Sequence, residues 1–420
     1  MLEDLDRRPQ VIRRVDSIRT VSILPLVERY LETVESARFG PIAFASAPFG
    51  EKLGTEEILA HVDSNERDES RKLIDATGMK ARYAHDLLAP FSLEDTVEFS
   101  AQIGAVLIDR VMQQRLWTNV DELIVSSAFL PQSVGRLAVE RAGLDPEKVS
   151  IRNYRMFCAG AVAGFIDALV AADADPTRKN LRTIVLALEP LSAYLEPAHF
   201  TLRHAAIPGI FGNEFAGLGF IPKEINLLAA QTFIKSDGGV IKLRTYYEIP
   251  PHKEHLLPPH YRINSGDESI ISASEDGVVL DAIGPEEDIS ASMDGEGTGL
   301  FFGTESPPLI RDILASLPPG IEVSKVVMHQ PSAPVVRKIY NKLTRVLKLK
   351  VPEMPFLLGQ MGRSNGSSAT TIVTWQYMAS HKMINNDDTL LIFAPAIRSA
   401  FCLAVAKLAK QFPIPTPETI

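Results

Sequence analysis

Cysteine is nearly missing from this chain: 420 residues hold two, Cys158 and Cys402. That excludes a disulfide framework and points to a reducing, cytoplasmic setting. No apolar run approaches the roughly 18–20 residues that cross a bilayer, so no membrane segment is expected. The start, Met-Leu-Glu-Asp-Leu-Asp-Arg-Arg, is too charged for a secretory leader. Positive charge is in the minority, 43 Lys and Arg against 52 Asp and Glu. The net charge of −9 argues against a general nucleic-acid binder. What is there, 45% hydrophobic and 23% charged residues, suffices for two core-forming lobes.

Short apolar strands alternate with helical patterns, which predicts an α/β fold with a largely parallel sheet. Strands are expected at 42–47, 122–126, 149–153 and 183–188, with helices at 55–76, 95–115, 131–143 and from Cys158 to about 172. The alternation returns near the end, with helices at 307–317 and 333–347 and strands at 325–328, 389–393 and 401–407. Residues 1–40 read as an extension, helix-like around 23–36. Residues 41–225 and 296–420 read as two similar halves, and 226–295 as an inserted β-rich or loop-rich elaboration that shapes either a pocket or a dimer contact. Among its turn residues are Pro250-Pro251 and Pro258-Pro259.

Three segments carry candidate chemistry. The first is Met156-Phe157-Cys158-Ala159-Gly160, where a polar strand turns into a small-residue helix. A thiol there lies near the helix's positive end, whose unpaired N–H groups favour thiolate, and small residues in the first turn let a substrate come close. The second is Val327-Met328-His329-Gln330, where a histidine leaves an apolar strand. The third is Arg363-Ser364-Asn365-Gly366-Ser367-Ser368, a tight turn feeding a helix. In α/β sheets, groups at the carboxyl ends of strands converge on the ligand crevice. A thiol, an imidazole and a carboxamide there suit thioester chemistry: the thiolate takes an acyl group, and the N–H donors stabilise an oxyanion or enolate. Each residue alone has a plainer reading, as a small core hydrophobe, a strand-end histidine or a turn asparagine.

Together, the Cys-Ala-Gly turn, the strand ending in His329-Gln330, and Asn365 before Gly-Ser-Ser-Ala resemble the condensing enzymes of the thiolase superfamily. The nearest likeness is to β-ketoacyl-acyl-carrier-protein synthase III. Thr77-Gly78-Met79, Phe211-Gly212-Asn213-Glu214-Phe215-Ala216-Gly217 and the stretch from Gly295 to Gly303 add to it. The resemblance implies a thiolase-like five-layer αβαβα fold from two related halves, a homodimer, and no cofactor or metal. It implies that Cys158 accepts an acyl group from a thioester on acyl carrier protein or coenzyme A. His329 and Asn365 then hold a malonyl-type thioester as it loses carbon dioxide, and the carbanion attacks acyl-Cys158 in a decarboxylative Claisen condensation. Such an acyltransferase fits fatty-acid-like or polyketide metabolism. The alternatives are transfer of the acyl group to an oxygen or nitrogen of a small molecule, and a catalytically weak partner subunit.

The sequence departs from the family in three places. The interval from Cys158 to His329 is longer than the family usually shows. Where the family clamps the coenzyme A adenine with Trp and Arg, this chain has Lys72 and Ala76, which favours a carrier-bound donor. The family's glycine-rich loop, which lends a backbone N–H to the oxyanion hole, corresponds to Phe393-Ala394-Pro395-Ala396. Proline has no N–H, so either Ala396 joins the Cys158 N–H as donor after a one-residue shift, or the hole is weaker. One such donor is worth about 3–4 kcal/mol. Arg337, Lys338, Lys342 and Arg345 fall in a stretch without an acid, either a solvated helix face or a dock for an acidic carrier protein. His252, His255 and His260 lack a clear fourth ligand, so no metal is expected.

Overall fold

The computed structural model describes residues 34–84, 93–128, 130–194, 206–236, 239–241, 271–274, 277–281, 301–396 and 400–409. The first half contains β1 (Glu35–Phe39), β2 (Ile42–Pro48), β3 (Glu51–Leu53), α1 (Thr55–Leu59), α2 (Arg67–Ala76), β4 (Arg82–Ala84) and α3 (Leu93–Arg115). It continues through β5 (Glu122–Ser126), α4 (Ser133–Arg141), β6 (Ser150–Arg155), α5 (Gly160–Ala174), β7 (Thr183–Glu189), α6 (Ala206–Ile210) and β8 (Glu214–Phe220). Then come β9 (Ile225–Ser236), β10 (Gly239–Ile241), β11 (Ile271–Ser274) and β12 (Gly277–Asp281). The last part holds α7 (Ser306–Ala315), β13 (Lys325–Met328), α8 (Ala333–Asn341), α9 (Leu357–Met361), α10 (Ala369–Ser380), β14 (Thr389–Ala396) and β15 (Ala400–Leu408).

Two large sheets result. One has eight strands in the order β1-β2-β8-β7-β5-β6-β12-β11, and the other has five in the order β10-β9-β15-β14-β13. Alternation along each strand sends successive side chains to opposite faces, and this builds five layers. On the outer face of the first sheet, Ala43, Ala45, Leu123, Val125 and Ile184 pack with Phe99, Leu107, Val111 and Val134 of α3 and α4. On its inner face, Phe44, Ile124, Val185 and Ala216 meet Phe165 of α5 and Trp375 of α10. Those two helices are covered on their other side by Ile392, Ala394, Cys402 and Ala404 of the second sheet. The second sheet's outer face, with Val326, Leu391, Phe393 and Leu403, packs on Ile310 of α7 and on Val336 and Ile339 of α8. The fold is therefore αβαβα, with α5 and α10 as the buried central layer. Apart from Asp167, which is buried and paired with Arg152, and Asp173 near its end, α5 is apolar, and with its preceding turn it is long and apolar enough to cross a membrane, but 89% of that stretch is buried inside the protein.

Several expectations are corrected. The sheets are mixed: β6, β5 and β7 are mutually parallel, as are β13 and β14, but β8, β2, β15 and β9 all pair antiparallel. The end of the expected N-terminal extension is β1, turned back onto β2 at Gly40, whose φ of +55° glycine tolerates. The helical pattern at 55–76 is two helices, interrupted by the turn at Asp63-Ser64-Asn65. The region read as an insert is shared between the sheets: β9 and β10 complete the five-stranded sheet, whereas β12 lies parallel to β6 and carries β11.

Candidate active site

Cys158 follows the carboxyl end of β6 in a tight turn, Phe157–Ala159, that leads directly into α5. Phe157 adopts φ of +45°, an uncommon conformation for a bulky residue. Such strain costs about 1–3 kcal/mol and persists only where surroundings enforce it. Here Met156, Phe157 and Cys158 are all buried, and the Ala159 N–H donates to the Met156 carbonyl at 3.0 Å. No side chain caps the start of α5. Gly160 and Gly164 in its first two turns lie against the sheet, where a side chain has no room. A Cβ on Gly160 would lie 2.1 Å from Ser126 Oγ, and one on Gly164 would lie 2.4 Å from Ile124 Cγ2.

His329 continues β13 by one residue, its N–H donating to the Phe393 carbonyl of β14 at 3.0 Å. The ring is fully buried. Burial pushes its pKa down to about 3, opposed only by the Ser367 backbone beside it, so the imidazole is neutral at physiological pH. Gln330 turns away: its Oε1 accepts from the N–H groups of Leu357 (2.7 Å) and Leu358 (3.2 Å), and its Nε2 donates to the Pro355 carbonyl (2.8 Å). It thereby holds the start of α9, while His329 is directed inward.

Asn365 is gripped by the other half of the chain. Its N–H donates to the Ile210 carbonyl (2.9 Å), and its carbonyl accepts from the Gly212 N–H (3.3 Å). Its side-chain Oδ1 accepts from the Ser367 N–H (2.9 Å) and Thr370 Oγ1 (3.2 Å). With the oxygen occupied by the turn, the amide's orientation is set and Nδ2 is the donor presented on the opposite side.

These segments meet around β14. The turn carrying Cys158 packs against β14, and β14 pairs with the strand carrying His329. The Ser367 backbone, two residues beyond Asn365, lies beside the imidazole. Cys158, Val327, Ala369, Ala394 and Ala396 belong to one buried cluster. Pro395 and Ala396, read as a loop, are the end of β14, opposite Phe401 and Ala400 of β15.

Sequence reading missed the acids beneath the Asn365 turn. Glu189 and Glu214 stand opposite each other at the adjoining ends of β7 and β8, and both are buried. Glu214 accepts from Arg363, which also pairs with Glu35 at 2.9 Å. Burial pushes Glu214 up to about 7 against the pull of Arg363. Among the described residues Glu189 has hydrogen-bond donors but no cation as partner, and burial pushes it up to about 8. The signal was a lone acid closing the apolar run Thr183–Leu188.

The remaining candidates lie elsewhere. Arg337 and Lys338 are exposed on α8, and Lys342 and exposed Arg345 follow on its wide-turn continuation. Lys72 is exposed on α2 and paired with Glu69, with Ala76 ending the same helix. Cys402 is packed between the sheets, its thiol pushed up to about 12 by burial. His252, His255 and His260 lie outside the described residues.

No family model matches the sequence, and no curated protein does. Solved structures do. Tetrahydroxynaphthalene synthase of Streptomyces coelicolor A3(2), a bacterial type III polyketide synthase, is 14% identical and superposes with a TM-score of 0.61 over 87% of this chain and 98% of its own. The 3-oxoacyl-[acyl-carrier-protein] synthase III of Aquifex aeolicus VF5 is 15% identical, with a TM-score of 0.55 over 89% of this chain and 100% of its own. The priming β-ketosynthase of the R1128 polyketide pathway is 15% identical, with a TM-score of 0.59 over 89% and 98%. The chain thus has the thiolase-type fold of the condensing enzymes, along nearly the whole length of those proteins.

Proposed function

We propose that this protein is a ketosynthase III-like condensing enzyme that joins an acyl group on Cys158 to a malonyl-type thioester. The observation that supports the reading is a buried, neutral His329 against the Ser367 backbone, two residues beyond an Asn365 whose side-chain oxygen is already occupied. Two neutral N–H donors suit an enolate oxygen, because they stabilise its charge without giving up a proton.

In the first half-reaction the Cys158 sulfur attacks the carbonyl of an acyl thioester, the oxyanion is held by the backbone N–H groups of Cys158 and Ala396, and the carrier thiol leaves. In the second, a malonyl-type thioester places its carbonyl oxygen against His329 Nε2–H and Asn365 Nδ2–H. The carbon–carbon bond to its carboxylate breaks, carbon dioxide departs, and the electron pair is held as the enolate. The enolate carbon attacks the acyl-Cys158 carbonyl, and expulsion of the thiolate yields a β-keto thioester.

A catalytically weak partner subunit is the second reading, favoured by Pro395, which has no N–H to lend where an oxyanion donor is expected. Carbon dioxide release from malonyl thioester separates the two. A homodimer in the cytoplasm, fed by acyl carrier protein through the Arg337, Lys338, Lys342 and Arg345 surface, completes the proposal. Intact-mass measurement after incubation with a panel of acyl thioesters tests the nucleophile. The native chain is expected to gain one acyl group and Cys158→Ala none; an equal gain in the variant removes Cys158 from the reaction.

A further inference from the structure

The Asn365 turn rests on a rung of two glutamates. Glu189 and Glu214 are directly opposite in the antiparallel pairing of β7 and β8, and the turn lies across them. Arg363, before Asn365, is bound to Glu214, and Ser368, after it, is bound to Glu189. Gly366 lies so close that a Cβ there would fall 2.0 Å from Glu214 Cβ. The two acids are not equivalent. Glu214 faces a guanidinium. Glu189 instead gathers Ser368 Oγ (2.5 Å) and Ser368 N–H (3.3 Å) on one oxygen, and the Ala128 N–H (3.2 Å) on the other. Ala128 lies just past the end of β5, the strand between β7 and β6, and β6 leads to Cys158.

Resting on the reading of Asn365 as an enolate donor, we infer that Glu189 is a positioning residue for the decarboxylation step, tying the Asn365 turn to the strand ends that also carry the nucleophile. The physical reason is directional. A fully buried carboxyl with three donors has little freedom to move. The Ser368 backbone it holds lies three residues from Asn365, and the Ser367 backbone between them lies against His329. A small misplacement of reacting groups costs large factors in rate. Cys158 reaches its own turn through β6 and does not depend on the Ser368 bonds, so the two half-reactions should separate.

The test uses the whole 420-residue chain and three variants, with acylation of Cys158 read by intact mass and decarboxylation read as carbon dioxide from malonyl thioesters of acyl carrier protein and of coenzyme A. Glu189→Ala is expected to retain acylation and to lose at least tenfold in decarboxylation. Glu189→Gln, which keeps the size and one acceptor oxygen for Ser368 but turns its NH2 toward the Ala128 N–H, is expected to lose clearly less than Glu189→Ala. Ser368→Ala, which removes one donor, is expected to lose the same step by a smaller factor. Native decarboxylation in Glu189→Ala would overturn the inference, as would a loss of acylation equal to the loss of decarboxylation. Should Glu189→Ala fail to fold, as judged by its melting transition, Ser368→Ala decides: a native rate there also overturns it. Failure of the native protein to acylate or to release carbon dioxide would instead count against the condensing-enzyme reading itself.

Discussion

At the residue scale, two buried titratable groups pull stability in opposite directions with pH. His329 has its pKa lowered to about 3, so between there and its ordinary value near 6.5 the unfolded chain binds a proton that the folded chain refuses. Its contribution falls as pH drops through that window. Glu189, raised to about 8, does the reverse. Its folded form keeps a proton that the unfolded chain releases above about 4.5, so its contribution is full below that and lost as pH rises through 8. Glu214, raised to about 7, acts in the same direction, moderated by Arg363. From these three groups the melting temperature should therefore peak near pH 4.5, falling below it with His329 and above it with the two glutamates. Glu189→Gln should flatten the alkaline limb, narrowing the difference in Tm between pH 5 and pH 8.5. Parallel Tm curves for the two proteins would contradict the assignment of a protonated Glu189. Neutral His329 carries a kinetic corollary: decarboxylation should show no inflection near pH 6.5.

At the element scale, the fit of α5 against its sheet makes a local prediction. Gly160 leaves no room for a methyl group, with Ser126 Oγ 2.1 Å and the Tyr154 carbonyl oxygen 3.3 Å from a built Cβ. Overpacking of this kind costs about 1–3 kcal/mol. Gly160→Ala should lower stability by that amount in denaturant titration. Ser126→Ala, which deletes a hydroxyl without a hydrogen-bond partner, should recover part of the loss in the double variant. Additive effects would place the two residues out of contact. The same packing explains what could be read from sequence. β5 and β13 fall at 122–126 and 325–328 as expected, because a short apolar run bounded by polar residues has few other ways to be buried. The turn at Cys158, the strand end at His329 and the turn at Asn365 were legible as local structure because each joins a residue type to an abrupt change of periodicity. Strand direction was not legible. A pattern of apolar residues does not say whether β8 or β15 runs with or against its neighbour. The Glu189 and Glu214 rung is a long-range pairing, and no local spacing announces it.

At the scale of the whole molecule, charge is unevenly placed. The protein carries a net −9, which repels an acidic partner at long range. Yet Arg337, Lys338, Lys342 and Arg345 sit together on α8 and its continuation, with Val346 exposed among them at 60%. No acid occurs from Arg337 to Lys350. An acidic carrier protein approaching this surface gains from the local field while the rest of the molecule turns it away, which fixes orientation as well as rate. Screening shortens such fields to about 8 Å at physiological salt. If this is the docking face, KM for a carrier-bound donor should rise several-fold between low and moderate salt. Arg337→Glu combined with Arg345→Glu should raise it at least fivefold at low salt and remove most of the salt dependence. Both arginines are exposed, so the melting temperature should stay within about a degree or two, as for surface changes worth under 0.5 kcal/mol. A KM that ignores both salt and charge reversal would leave the patch as a solvated helix face and move carrier recognition to another surface.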